Sequence, residues 1–144
     1  DDRGMSDDSH RSVTLDRVEE GVYLARNARG VELRFGSKDP EGFTPVELLL
    51  AAIAGCSAVD VDVVTGRRSA ATSFSARVDA QAVRDEGGNI LRDIELTFRV
   101  RFPEGADGDA ARAALPRAVQ TSHDRTCTVS RTIEAGVPVT VRVD

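Results

Sequence analysis

The stretch from residue 43 to residue 60, FTPVELLLAAIAGCSAVD, constrains the fold of this chain more than any other. Thr44 precedes Pro45, and Glu47 follows three residues after Thr44, which is the pattern of an N-terminal capping box. The run that follows is apolar on every side, and a helix without a polar face is buried all round. We therefore predict a buried helix over about residues 45–64.

Alternating segments flank this helix in the sequence. Before it, apolar residues alternate with polar ones in three short stretches between Val13 and Phe35, which turn-forming residues separate. After it, residues 74–82 and 94–102 alternate in the same way, and the sequence DEGGN between them is typical of a hairpin loop. These patterns predict three strands before the helix and two long strands after it.

The C-terminal third combines a second helix with a final strand. Ala111, Leu115, Ala118 and Val119 share one helical face, and Pro116 predicts a kink or a break in it. Residues 123–132 show no clear period, and alternate valines predict a strand over residues 137–143. The order βββ-α-ββ-α-β places the chain in the α+β class, with its sheet packed on the long central helix.

Length and charge limit the domain organisation and the partners. A chain of 144 residues fits one domain, so we predict residues 1–12 as a disordered N-terminal segment and residues 13–144 as a single domain. The net charge of -5 argues against a nucleic-acid partner, which requires a basic face. We expect no membrane span, because Asp60 and Asp62 interrupt the one long apolar candidate. The charged N-terminus lacks the apolar core of a signal peptide, so we expect a cytoplasmic protein.

Cys56 and Cys127 are the only two cysteines in the sequence. A thiolate is the reactive form of cysteine, and we expect Asp60, one helical turn after Cys56, to raise the pKa of that thiol. A working Cys56 therefore needs an arginine from another part of the fold or from a partner subunit. The residues leave four alternatives open: inert core cysteines, a disulfide, a redox pair, and a metal site formed with Asp60 and His123.

Two motifs give the cysteines a context. PVELLLAAIAGC at residues 45–56 resembles the central helix of the OsmC/Ohr family (osmotically inducible protein C and organic hydroperoxide resistance protein). CTVS at residues 127–130 resembles the second-cysteine segment of that family. The order of elements agrees over about residues 13–143, and the resemblance is closest to the OsmC-like branch, whose helix carries an aspartate where Asp60 stands here.

The resemblance implies an intertwined homodimer in which the two central helices pack face to face. It also implies a thiol peroxidase that requires no metal or other cofactor. In this interpretation Cys56 attacks an organic hydroperoxide, either alkyl or fatty-acyl, and becomes a sulfenic acid. Cys127 then converts the sulfenic acid to a disulfide, which an external dithiol of the lipoyl type reduces.

The residues that would activate Cys56 follow the family pattern less closely. In the hydroperoxide-resistance branch a glutamate follows the proline at the helix start, whereas Val46 occupies that position here. Glu47 is the candidate catalytic glutamate, but it lies nearly opposite Cys56 on a straight helix, so a purely structural cap is the alternative. The candidates for the activating arginine are Arg17, Arg26 and Arg29, of which Arg17 is the best positional match.

Two other functions remain open at this point. The protein could be a non-enzymatic module that binds a small molecule in an apolar dimer crevice. Alternatively, it could sense oxidants or electrophiles through Cys56 without efficient turnover. A Cys56 that forms no sulfenate with peroxide favours the first of these, and oxidation without turnover favours the second.

Overall fold

The computed structural model of the protein describes residues 9–144. The disordered segment predicted for residues 1–12 therefore lies mostly outside the described residues. The chain forms two compact units, the first extending to Leu49 and the second running from Leu50 to Asp144. A long helix, α1 (Pro45–Gly66), begins in the first unit and continues in the second.

The first unit contains the three predicted strands, which form one antiparallel sheet. The strands β1 (Val13–Glu19), β2 (Val22–Asn27) and β3 (Glu32–Phe35) pair in the order β1-β2-β3. Directly opposed residues of antiparallel strands share a face, so the pairings place Leu15, Ala25 and Leu33 on one face. Leu15 and Leu33 are exposed, so this apolar face is not covered within the first unit.

The capping box predicted at the start of α1 is present. The Thr44 backbone N–H donates to the Glu47 carboxylate at 2.9 Å, and the Glu47 backbone N–H donates to the Thr44 hydroxyl at 3.2 Å. These reciprocal bonds satisfy two N–H groups at the helix start. The predicted position of the helix is therefore confirmed at its N-terminus.

Within one protomer, α1 buries one side rather than its whole circumference. The buried residues recur every fourth position, at Ile53, Ser57, Val61 and Thr65. On another side Val59 and Val63 are 64% and 55% exposed. An apolar pattern indicates that a surface is covered, but it does not indicate whether the protomer itself covers it.

The length and composition of α1 would also suffice to cross a membrane, contrary to the expectation from Asp60 and Asp62. The core helix of a soluble protein meets the same criterion. Here one side of α1 packs against the rest of the second unit, through residues that include Val61, which has no exposed surface.

The two long strands after α1 form a hairpin, as predicted. They are β4 (Ser73–Asp85) and β5 (Gly88–Arg101), and Phe74 and Phe98 meet edge to face with ring centroids 5.9 Å apart. The register shifts between Asp79 and Gln81. This bulge changes the inward face, so that Val83 is half-buried, whereas Ala82, which the alternation over residues 74–82 predicts to share a face with Phe74, is exposed.

The segment after the hairpin is more helical than predicted. The helix α2 (Ala106–Thr121) continues through Pro116 without a break. A π-helical turn (Ser122–Thr126) follows it, and Cys127 then caps a further helix, α3 (Thr128–Ala135). Gly136 ends α3 in the left-handed conformation, with a φ of 66°.

The predicted C-terminal strand does not form within the protomer. Residues 137–144 have no regular secondary structure, and Val139 and Val143 are 86% and 94% exposed. A strand requires a neighbouring strand for its backbone hydrogen bonds, and none pairs with this segment among residues 9–144. The observed order is βββ-α-ββ-α-α, so the α+β class is confirmed although the last element differs.

Candidate active site

Cys127 lies at the start of α3, in the second unit. Its side chain has no exposed surface. The Ser130 backbone N–H donates to the Cys127 sulfur at 3.4 Å, and the Ser130 hydroxyl lies 3.4 Å from the same atom. Cys127 therefore serves as the N-terminal cap of α3, a position usually taken by serine, threonine or aspartate.

These contacts favour the ionised form of Cys127. Burial raises the pKa of the Cys127 thiol, but the Ser130 hydroxyl, the Ser130 backbone N–H, the Ser57 hydroxyl and the Cys56 side chain together outweigh it. The net result is a Cys127 pKa below its ordinary value. Donors and a helix N-terminus stabilise a thiolate in the same way in other proteins.

Cys56 lies on α1 beside the buried stripe and is partly exposed. Burial raises the pKa of its thiol, and interaction with Cys127 raises it further. The backbone N–H groups of Val129 and Thr128, in the first turn of α3, oppose this rise without reversing it. Both cysteines are free thiols in the structure, and each shifts the pKa of the other.

Asp60 anchors the segment that leads into Cys127. Its carboxylate accepts hydrogen bonds from the Ser122 and Thr126 hydroxyls, both at 2.8 Å. The predicted rise of the Cys56 pKa is present, but its main causes are burial and Cys127 rather than Asp60. The carboxylate instead holds the π-helical turn against α1.

Three buried serines surround the thiols, and the sequence interpretation did not identify them. Ser57 and Ser122 have their hydroxyls 3.4 Å apart, and Ser130 contacts Cys127. The available signal was a serine next to the cysteine in an otherwise apolar stretch of α1. Ser122 and Ser130 lie around a segment without helical periodicity, so no pattern marked them.

The first unit contains Glu47 and the candidate arginines. The Glu47 carboxylate is engaged by the Thr44 N–H, as a structural cap requires. Arg26 pairs with Glu32 and, at 3.9 Å, with Asp16.

The other two candidate arginines differ in their position. Arg29 lies in the turn between β2 and β3. Arg17 lies opposite Tyr23, on the same sheet face as Leu15, and its side chain makes no hydrogen bond or ion pair with any residue that the structure describes. The guanidinium groups of Arg17 and Arg29 are therefore both unengaged among the described residues, and Arg17 is the one that lies on the apolar sheet face.

His123 lies in the π-helical turn, where acidic side chains contact both of its ring nitrogens. Its ring nitrogens contact Asp124 at 2.8 Å and Glu134 at 3.1 Å, and these contacts raise the pKa of His123. Among residues 9–144, no group of three or more His, Cys, Asp and Glu side chains is arranged to hold a metal ion.

A cavity of about 450 Å³ adjoins the thiol site within the second unit. The side chains of Ile53, Leu96, Phe98 and Ile133 give it an apolar lining, and His123 and Glu134 lie at it as well. Ser57 and Ser130, which contribute to the stabilisation of Cys127, also line it. The cavity therefore brings an apolar binding surface next to the thiol cluster.

The fold and the site together define an α+β protein with an interacting pair of thiols at a helix N-terminus. Residues 36–142 match the OsmC-like protein family, so the chain belongs to that family. The uncharacterized protein Rv2923c of Mycobacterium tuberculosis is 32% identical over 124 residues, which cover 84% of this chain and 87% of that protein. Protein YhfA of Escherichia coli is 28% identical, covering 85% and 89%.

Solved structures share the fold. An OsmC-like protein of unknown function from Vibrio cholerae aligns with a TM-score of 0.71 at 12% identity, covering 87% of this chain and 94% of that one. OhrB of Bacillus subtilis, an organic hydroperoxide resistance protein, aligns with a TM-score of 0.52 at 20% identity, covering 85% and 90%.

Proposed function

We propose that this protein is a peroxidase that reduces organic hydroperoxides with the thiol pair Cys56 and Cys127, in defence against oxidative stress. The observation that carries the proposal is the interaction between the two free thiols, each of which shifts the pKa of the other. Two adjacent thiols can transfer two electrons and store the result as a disulfide. The hydroperoxide resistance named for OhrB, which has the same fold, is consistent with this chemistry.

The two thiols have different accessibility, which suggests different roles. Cys56 is partly exposed and Cys127 is not, so we assign the contact with peroxide to Cys56. Cys56 gives its proton to the Cys127 thiolate as the Cys56 sulfur attacks the distal oxygen of the hydroperoxide, so that O–O cleavage drives a transfer that the two pKa shifts alone disfavour. The O–O bond breaks, the alkoxide leaves as an alcohol after taking a proton from solvent, and Cys56 becomes a sulfenic acid.

Cys127 converts the sulfenic acid of Cys56 to a disulfide. The Cys127 sulfur attacks the sulfenic sulfur, an S–S bond forms, and the hydroxyl group leaves as water. An external dithiol, of the lipoyl type that the family resemblance implies, restores both thiols by two exchange steps. The backbone N–H groups of Thr128 and Val129 lower the pKa of Cys56 and so favour its thiolate during attack.

A homodimer is part of the proposal. The exposed Val59 of α1 and the exposed leucines of the first sheet, Leu15 and Leu33, form apolar surfaces that a second copy would cover. The exposed valines of residues 137–143 likewise need a neighbouring strand.

In the same proposal Arg17 is the residue that activates Cys56. Arg17 lies on the exposed apolar face of the first sheet without an ionic partner among the described residues. A guanidinium placed near Cys56 in the assembly would offset the rise of the Cys56 pKa. The compartment we propose is the cytoplasm, where thiols remain reduced.

A second candidate function rests on the apolar cavity of about 450 Å³ beside the thiols. A cavity of this size and lining suits a small apolar ligand, so a binding module with incidental cysteines is the alternative. A sensor that is oxidised at Cys56 without turning over is the other. Trapping with dimedone separates them, because the binding module forms no sulfenate and the sensor forms one without steady turnover.

A dithiol-coupled assay with cumene hydroperoxide and tert-butyl hydroperoxide tests the proposal. We expect steady reduction of both compounds by the unaltered protein, and we expect Cys56→Ser to reduce the rate to that of the dithiol alone. Circular dichroism confirms that the variant is folded. Turnover that persists in Cys56→Ser would show that the proposed mechanism is wrong.

A further inference from the structure

A second groove lies between α1 and α2, within the second unit, and its volume is about 620 Å³. Aliphatic side chains from both helices contribute to its lining, with Val63 and Val64 from α1 and Ala114 and Ala118 from α2. Arg67, Arg68 and Arg117 also line it, and we call it the arginine groove. Volumes of roughly 300–1,000 Å³ are usual for small-molecule sites.

The arginines of this groove are not neutralised by the protein. Arg67, Arg68 and Arg117 are exposed, and none of their guanidinium groups makes a hydrogen bond or ion pair with any of residues 9–144. Arg112, which immediately precedes the groove-lining Ala113 on α2, shows the contrast, because its guanidinium pairs with Asp109 at 2.9 Å.

Asp60 is the only acidic side chain in the lining, and its carboxylate already accepts two hydroxyl donors. The groove is therefore a local concentration of positive charge on a chain whose net charge is -5.

We propose that the arginine groove binds an organic anion that has an aliphatic body and a carboxylate or phosphate head. The guanidinium group presents a fixed fork of donors that matches either head in a bidentate arrangement. The aliphatic lining accommodates the body of the ligand and removes it from water. Arg67 and Arg117 belong to different helices, so one anionic head can be contacted from both walls of the groove.

The arginine groove differs from the cavity beside the thiols in charge and in lining. The thiol cavity carries Glu95, Glu134 and a single histidine, so its ionisable groups are mostly acidic. The two linings share no residue, although the Ser122 hydroxyl in the groove lining contacts both Asp60 and Ser57. The proposed ligand is therefore selected by charge at a surface that peroxide reduction does not use.

Isothermal calorimetry on the unaltered protein tests the proposal, with decanoate, decyl phosphate and decanol as probes below their micelle concentrations. We expect saturable binding of at least one of the two anions. Decanol should bind at least about tenfold more weakly, because it has no charged head to form charge-assisted hydrogen bonds with the arginines. Preference between the two anions identifies whether the head is a carboxylate or a phosphate. Equal binding of decanol and both anions would overturn the proposal.

Substitutions in the groove locate the binding site. We expect Arg67→Gln and Arg117→Gln each to weaken anion binding by about tenfold. The matched control is Arg84→Gln, an exposed arginine in β4 that lies outside the groove and has no ionic partner among the described residues. Unchanged anion affinity in both groove variants overturns the proposal. It is also overturned if the protein binds no anion and the two groove variants no longer form the dimer, because a second copy would then occupy the groove. Because binding is measured without peroxide, its failure is distinguishable from a failure of peroxidase activity.

Discussion

Cys56 and Cys127 sit close enough to shift each other's pKa, but their surroundings differ in two respects. Cys127 has no exposed surface, contacts the Ser130 hydroxyl and backbone N–H, and has a lowered pKa. Cys56 is partly exposed, and its pKa is raised, first by burial. The accessible sulfur and the readily ionised sulfur are therefore different atoms.

The difference shows why neither cysteine would suffice alone. A buried thiolate cannot meet a bulky hydroperoxide without opening of the structure, and an accessible thiol that keeps its proton is a poor nucleophile. Placed together, the buried thiolate can accept the proton of the accessible thiol. In this site Cys56 is the thiol that a substrate can reach, and Cys127 is the thiol that ionises readily.

The largest effect is expected from Cys127→Ser. Steady turnover should cease, because no sulfur remains to convert the sulfenic acid of Cys56 to a disulfide. A single equivalent of hydroperoxide per protomer should still be consumed, provided that another group takes the Cys56 proton. Dimedone adducts resolved by mass spectrometry measure this stoichiometry. Turnover at the unaltered rate in Cys127→Ser would assign the chemistry to Cys56 alone.

The next largest effect concerns the anchor beneath Cys127. Asp60→Ala removes the acceptor of two hydroxyl bonds and leaves Ser122, which is 1% exposed, without that partner. We expect the free energy of unfolding to fall by about 2 kcal/mol. Urea denaturation measures it, with Asp62→Ala as the control, because Asp62 is exposed and should change stability by less than about 0.5 kcal/mol. Equal effects of the two substitutions would argue against the anchoring role.

Ser130→Ala tests whether the Ser130 hydroxyl contributes to the lowered pKa of Cys127. The Ser130 hydroxyl lowers the pKa of Cys127, so its removal should move the thiolate titration of Cys127 to higher pH. Loss of a hydrogen bond worth about 1 kcal/mol should slow turnover roughly threefold to tenfold at neutral pH. Thiolate absorbance, recorded in a Cys56→Ser background, follows the titration. Thr132→Ala, at an exposed position of α3, is the control and should leave both quantities unchanged.

Variants of Thr44 and Glu47 distinguish a structural role of Glu47, as a helix cap, from a catalytic role in activating Cys56. Thr44→Ala removes one half of the capping box and should lower stability by about 1 kcal/mol. Glu47→Gln retains an acceptor for the Thr44 N–H, so stability should be nearly unchanged. If Glu47 is only a cap, hydroperoxide reduction by Glu47→Gln should match that of the unaltered protein. A large loss of rate with normal stability would instead make Glu47 a catalytic residue.

Local signals allowed much of the fold to be predicted. The capping box at Thr44 and Glu47 located the start of α1, and alternation located β1 to β5, because both signals arise from neighbouring residues. The C-terminal valines alternate equally well, but no strand pairs with them in the protomer. Alternation reports which side chains can share a face, and it does not supply the neighbouring strand.

The site was predictable only in part, because its decisive contacts join distant segments. Cys56 and Cys127 were identifiable as a pair through their motifs. The bond from Ser122 to Asp60 spans 62 positions, however, and the role of Ser130 depends on a helix that begins at Thr128 without a periodic signal. The effect assigned to Asp60 from helical spacing alone was wrong in its cause, since the carboxylate faces two hydroxyl groups that sequence could not place.

The smallest effect is expected at His123, whose ring joins the turn before Cys127 to the helix after it. Its contacts with Asp124 and Glu134 raise the pKa of His123, so their stabilisation is full below about pH 6.5 and is lost as the pH rises through the raised value. Glu134→Gln should lower the pKa of His123, and it should reduce stability at acidic pH by only about 0.3 kcal/mol, because both side chains are more than half exposed. Proton NMR of the imidazole measures the titration, with Glu86→Gln in the hairpin turn as the control. An unchanged His123 titration in Glu134→Gln would mean that this bridge does not form in solution, and that the turn before Cys127 is held only by its hydrogen bonds to α1.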